Sequence, residues 1–193
     1  MREKWIVETK KGDFNGLSAK LKVSPLAVRC LMNRGVESEQ EMREFLYGTL
    51  DDLHDPFLMK GMDEAVREIV KAKEQGRKVA IASDFDCDGI FSAYILWKGF
   101  QKIGLDSEIF TPDRVKEGYG LNRRIVDEAL AGGRDFLVTC DNGIAANEEV
   151  DYAKKLGMTV IVTDHHEVQE QMPDADVVLD PKRDDETYPF HGL

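Results

Sequence analysis

Three short clusters carry the side chains best able to do chemistry: Asp84-Phe85-Asp86-Cys87-Asp88-Gly89, Asp141-Asn142-Gly143 and Asp164-His165-His166. Together they offer five aspartates and two histidines. So many carboxylates cannot stand ionised in one crevice unless cations neutralise them. Oxygen ligands with one or two imidazoles suit Mn2+ or Mg2+, and the lack of a thiolate beside the histidines argues against structural zinc. Two such ions about 3.5–4 Å apart would polarise a phosphoryl oxygen and generate a hydroxide nucleophile. Phosphoester hydrolysis is the reaction class this chemistry favours. His165 is expected as a ligand; His166 is open between a supporting residue, a general acid and a donor to phosphate. The first cluster also opens like an EF-hand loop, but its twelfth residue is Ile95 where a bidentate glutamate is required. The chain has neither the P-loop pattern nor a glycine-rich dinucleotide fingerprint after its first strand.

The clusters must be brought together by the elements that end in them. Residues 78–83, 135–140 and 158–163 are short, nearly continuous apolar runs, the pattern of strands buried on both faces, and 107–110 and 177–179 could add two more. Helical stretches over 91–103, 122–130 and 147–156 alternate with them, the last two opening on an asparagine cap. The resulting β-α-β-α-β-α-β order predicts an α/β fold with a mainly parallel, doubly wound sheet. Ligands of such sheets gather outside the carboxyl ends of the strands, where all three clusters fall. Ahead of the sheet, residues 1–77 read as a small helical segment, with Ser24-Pro25 opening one helix, a Ser38/Glu41 capping box opening the next and a third over 62–73. The organisation expected is therefore 1–77 helical and 78–193 catalytic.

Charge is unevenly distributed. The 193 residues sum to −11, which by itself argues against a protein that grips nucleic acid with a basic patch. Residues 1–78 carry +1 and residues 79–193 carry −12, so the acidity belongs to the part that holds the clusters. Neither an apolar run of membrane-spanning length nor a signal peptide behind the charged opening residues is seen, and a cytoplasmic location is expected. Cys30, Cys87 and Cys140 are widely spaced, which suits reduced thiols; Cys87 and Cys140 are expected to pack away from the crevice.

One further loop, residues 111–121, follows the second strand on the same sheet edge. Arg114 and Lys116 supply cations, Tyr119 an aromatic ring, and Gly118 and Gly120 flexibility, a set suited to a phosphate and a stacked base.

Taken in order, Asp84-x-Asp86-x-Asp88-Gly89, Pro112-x-Arg114 with Glu117-Gly118-Tyr119-Gly120, Asp141-Asn142-Gly143-Ile144 and Thr163-Asp164-His165-His166-Glu167 resemble the motifs of the DHH phosphoesterase superfamily, and the likeness covers nearly the whole chain. The resemblance implies a 5′→3′ exonuclease of DNA repair and recombination that degrades single-stranded DNA with two Mn2+ or Mg2+ ions. It implies metal ligation by Asp84, Asp86, Asp88, Asp141 and His165, catalysis by His166, Asp164 and Asp141, and substrate contacts from Arg114, Tyr119 and Gly120. Asp180 departs from the family's usual asparagine. Relatives are expected to continue past Leu193 with another ligand aspartate and further domains, so that the chain reads as an N-terminal fragment of low activity. A single-strand-binding protein or a helicase would be met through those regions. Two alternatives remain: a hydrolase of pyrophosphate or short oligonucleotides, which the helical lead-in and the Pro-x-Arg loop disfavour, and a non-catalytic replication scaffold, which has no reason to keep five repelling aspartates together.

Overall fold

A computed structural model describes residues 10–190. The charged opening stretch read above for a leader lies largely outside the described residues, as does His191-Gly192-Leu193. The chain divides into two compact units, Met1–His54 and Asp55–Leu193.

Among the described residues the first unit holds three α-helices, α1 (Phe14–Leu21), α2 (Pro25–Asn33) and α3 (Glu39–Tyr47). Each starts on a side chain that satisfies an otherwise unpaired amide: Asp13 takes Gly16 N, Ser24 takes Ala27 N ahead of Pro25, and Ser38 with Glu41 forms the reciprocal box. Leu21, Val28, Leu31, Met32 and Met42 form its buried centre. The sequence reading passes over α1, because its Asn, Gly and Ser weaken the propensity signal. The helix stands on the Asp13 cap and on Phe14, Leu17 and Leu21 packing into that centre.

In the second unit a 3-10 turn over Pro56–Leu58 leads into α4 (Met62–Glu74), followed by β1 (Val79–Ser83), α5 (Cys87–Ile103), β2 (Ser107–Phe110), α6 (Arg123–Ala131), β3 (Phe136–Cys140), α7 (Asn147–Lys155), β4 (Thr159–Thr163) and β5 (Val177–Leu179). All strand pairings are parallel, in the order β2-β1-β3-β4-β5. Successive residues of β1 serve opposite cores. Ala80 and Ala82 pack with Ile125, Val126 and Ala129 of α6 and Val150 and Ala153 of α7, whereas Val79 and Ile81 pack with Ala65 and Ala72 of α4 and Ala93 and Phe100 of α5. The sheet is thus doubly wound, and burial on both faces is why the strands read as unbroken apolar runs. Because α4 belongs to the sheet's core, the compact units part at residue 54, ahead of the change of period near residue 78.

Two helix starts differ from expectation. α5 begins at Cys87, four residues before the apolar run at Phe91, because Asp86 Oδ1 accepts from the amides of Asp88 and Gly89, each at 3.1 Å. Asn147 is not a cap: Ala146 holds that position with no side-chain bond, and Asn147 Nδ2 donates to Gln171 O at 3.0 Å. Among the described residues no helix is long and apolar enough to cross a membrane.

Candidate metal centre

The chain runs from β1 out to β2 and returns to β3 on the other side of β1, so adjacent loops diverge between β1 and β3 and leave a crevice there. At the end of β1, Asp84 is 3% exposed, and the amides of Phe85, at 2.7 Å, and Gly120 face its carboxylate. Burial raises the Asp84 pKa, with the charge of Asp86 adding to the shift. Asp86 caps α5, and Asp88 stands exposed in the first turn of that helix. The expected inward packing of Cys87 is overturned: it occupies the first helical position and faces solvent, because the strand alternation ends at Ser83. Cys140 is buried as expected, and burial pushes its thiol up to about 11.

At the end of β3 the backbone turns sharply. Asp141 adopts φ +61° and Gly143 φ +114°; a Cβ on Gly143 would lie 2.7 Å from Thr139 Oγ1. Aspartate and asparagine tolerate the left-handed region better than most residues, which suits Asp141 to its place. Asn142 is a staple that the sequence reading missed. Its Nδ2 donates to Ala82 O (3.1 Å) and Cys140 O (2.9 Å), and its Oδ1 accepts from Leu121 N (3.1 Å), joining β1, β3 and the 111–121 loop. An Asp-Asn-Gly sequence announces a turn, but not this bridge.

At the end of β4, the Asp164 side chain is 1% exposed and accepts from Ile144 N (2.9 Å), His165 N (2.7 Å) and His166 N (3.3 Å). Its Oδ1 also meets His166 Nδ1 at 2.7 Å, while His165 Nε2 meets Asp141 Oδ1 at 2.8 Å. The Asp164 bond raises the His166 pKa; burial raises that of Asp141, partly offset by His165. Asp180, fully buried after β5, accepts from Lys182 N at 2.8 Å through Oδ1, and its Oδ2 lacks a partner. Burial raises its pKa, and the charge of Asp164 adds to the effect.

One ligand atom each from Asp141, His165 and His166 falls within 4.8 Å of the others. Asp84, Asp86 and Asp88 are not part of that group, although Asp86 is close enough for its charge to raise both Asp84 and Asp141. This donor set, carboxylate oxygen with imidazole nitrogen and no thiolate, fits a divalent cation such as Mn2+ or Mg2+. Asp84, Tyr119, Gly120, Asp141, Asp164 and His166 line one cavity of about 670 Å³. Arg114 is not among the lining residues; its guanidinium lies 5.2 Å from the Phe85 ring centre, and Tyr119, which does line the cavity, lies 4.4 Å from the same ring. Glu117 and Arg124, also missed, clasp this loop in a bidentate ion pair. A basic residue in the first turn of a helix runs against the helix dipole, and Arg123-Arg124 carried that signal in the sequence.

An all-parallel, doubly wound domain with carboxylates and imidazoles gathered at its topological switch point belongs to the ligand-binding α/β class. Residues 78–187 match the DHH family, N-terminal domain, and the chain belongs to that family. It is 37% identical over 191 residues to the single-stranded-DNA-specific exonuclease RecJ of Bacillus subtilis and 36% identical over 170 residues to that of Salmonella typhimurium. Those alignments cover 98% and 88% of this chain but only 24% and 29% of the two relatives. The structure of RecJ in complex with Mn2+ from Thermus thermophilus superposes with a TM-score of 0.62 at 29% identity, covering 87% of this chain and 23% of that one. Another exonuclease RecJ, bound to manganese, gives a TM-score of 0.62 at 33% identity, over 67% of this chain and 33% of the other.

Proposed function

We propose that the chain carries the phosphodiester-hydrolysing centre of a 5′→3′ single-stranded-DNA exonuclease that works with Mn2+ or Mg2+ in repair and recombination. The observation that carries this reading is the convergence of Asp84, Asp141, Asp164 and His166 on one cavity, with His165 on Asp141. Asp84, Asp86, Asp88, Asp141 and His165 would hold the ions, which when bound polarise the phosphate and lower the pKa of water. For Asp84 and Asp141 burial supports that role, since carboxyls with raised pKa values gain most from a neighbouring cation. Asp164 orients His166. With Nδ1 committed to Asp164, His166 presents Nε2 outward, and its raised pKa favours the imidazolium, a donor suited to a phosphate oxygen or a departing alkoxide. Arg114, Tyr119 and Gly120 would meet the strand at the cavity's rim, the arginine on phosphate and the ring on a base. A cytoplasmic location, and partners such as a single-strand-binding protein or a helicase, belong to the same reading.

Calorimetric titration of the chain with Mn2+, followed by release of mononucleotides from a 5′-labelled single strand, tests it. Mn2+ at one hundred times its Kd is expected to stabilise the fold by about 2.7 kcal/mol. Asp141→Asn is expected to lower the affinity at least tenfold while leaving the metal-free fold at least as stable. Unchanged Mn2+ affinity in that variant would refute the assignment. Faster cleavage of dinucleotides or pyrophosphate than of long strands would shift the substrate to small phosphates.

A further inference from the structure

The segment that carries Arg114 and Tyr119 is fastened by one guanidinium. Arg124, the second residue of α6, donates Nε to Glu117 Oε1 at 2.6 Å and Nη2 to Glu117 Oε2 at 2.8 Å. Its Nη2 also reaches Thr111 O at 3.0 Å, and its Nη1 meets Glu128 Oε2 at 2.7 Å, one turn along the helix. Glu117 Oε2 accepts the Asp113 amide as well, at 2.7 Å. A single side chain therefore ties the exit of β2, the middle of the loop and the start of α6. The far end is fastened separately, by Leu121 N on Asn142 Oδ1 and by the Gly120 amide on Asp84. Arg114 lies within the clasped stretch, and Tyr119 lies between Gly118 (φ +81°) and Gly120 (φ +83°), where the backbone turns; both side chains rest against Phe85.

Isolated surface ion pairs contribute little, because side-chain entropy and solvent screening cancel most of the attraction. This pair differs in three respects. It is bidentate, the Glu117 side chain is only 20% exposed, and both partners hold backbone groups of the loop in addition to each other. The bond from Arg124, with the Asp113 amide behind it, holds the Glu117 carboxyl at about 2.

We propose that Arg124 and Glu117 are positioning residues for strand binding: their paired fork sets residues 111–121 at the height from which Arg114 and Tyr119 reach a single strand. Strand affinity then depends on a pair that contacts neither the strand nor the metal ligands. This rests on the single-strand reading of the site, and the test separates the two.

The full 193-residue chain and its Arg124→Ala, Arg124→Lys and Glu117→Gln variants are compared in three measurements. Amide exchange is followed over 111–121, Mn2+ affinity is taken by calorimetry, and binding of a 3′-fluorescein phosphorothioate oligothymidine by anisotropy. In Arg124→Ala and Glu117→Gln, loop exchange is expected to rise and oligonucleotide affinity to fall about tenfold, with Mn2+ affinity unchanged, the size expected for one charge-assisted bond. Arg124→Lys keeps the charge but not the fork, and is expected to stay well below wild type. Variants that match wild type in loop exchange and oligonucleotide affinity overturn the positioning role alone. A parallel loss of Mn2+ affinity overturns it too, showing a general loosening of the site. A wild-type chain that binds Mn2+ but no oligonucleotide overturns the single-strand reading and the positioning role with it. Should Arg124→Ala not fold, Glu117→Gln, which keeps the size and shape of the side chain, decides.

Discussion

Gly89 closes the first acidic motif, and the structure gives a reason that can be tested against a second glycine of the same helix. A Cβ on Gly89 would lie 2.5 Å from Asp84 O, 2.6 Å from Asp84 C and 2.9 Å from Asp84 Cα. All three are backbone atoms, so no side chain can rotate aside, and either the start of α5 or the end of β1 must move. Overpacking of this kind costs about 1–3 kcal/mol. Against it stands the gain of up to about 1 kcal/mol in helix propensity when glycine becomes alanine. Gly89→Ala is expected to destabilise the fold by up to about 3 kcal/mol net, or up to about 12 °C in Tm at about 4 °C per kcal/mol. It is also expected to weaken Mn2+ binding, because Asp84 and the Asp86 cap are the groups displaced. Gly99 has no atom within 4 Å of its would-be Cβ, so Gly99→Ala should show the propensity gain alone, a rise of up to about 1 kcal/mol. Differential scanning calorimetry of both variants, with and without Mn2+, measures the contrast. If Gly89→Ala is as stable as Gly99→Ala and binds Mn2+ as wild type does, close approach is not what requires glycine at this position.

Two further outcomes follow from the titrating groups. Glu117 titrates at about 2 in the folded chain, below its ordinary 4.5, so its contribution to stability is present above 4.5 and lost as pH falls from there toward 2. The difference in Tm between wild type and Arg124→Ala should therefore shrink on acidification across that window, and a difference independent of pH would refute the pairing. Asp180 has the opposite sign: its raised folded pKa costs the wild type stability as pH rises above the ordinary carboxyl value. The Tm of metal-free Asp180→Asn relative to wild type should accordingly be more favourable near neutral pH than at a pH below the ordinary carboxyl value, and equal differences at the two pH values would show that Asp180 is not a source of strain.

The sequence by itself determined the strands, the parallel α/β class and the three clusters at the strand ends. Burial on both faces writes an apolar run directly into the chain, as in 79–83 and 136–140, and a parallel sheet puts every strand end on one side. It did not determine where α5 starts, because the cap Asp86 is also one of the motif's acids and the apolar period begins only after it. Cys87 and Asn147 were misread for the same reason, a local residue type being taken for a position that neighbours in space decide. Only the tertiary structure brought Asp164 against the amide of Ile144, Asn142 across to Ala82 and Leu121, and Arg124 onto Glu117 and Thr111. These bonds join residues between 7 and 60 positions apart. A sequence records which side chains can donate and accept; which of them meet is fixed when the strands take the order β2-β1-β3-β4-β5 and bring distant loops to one edge.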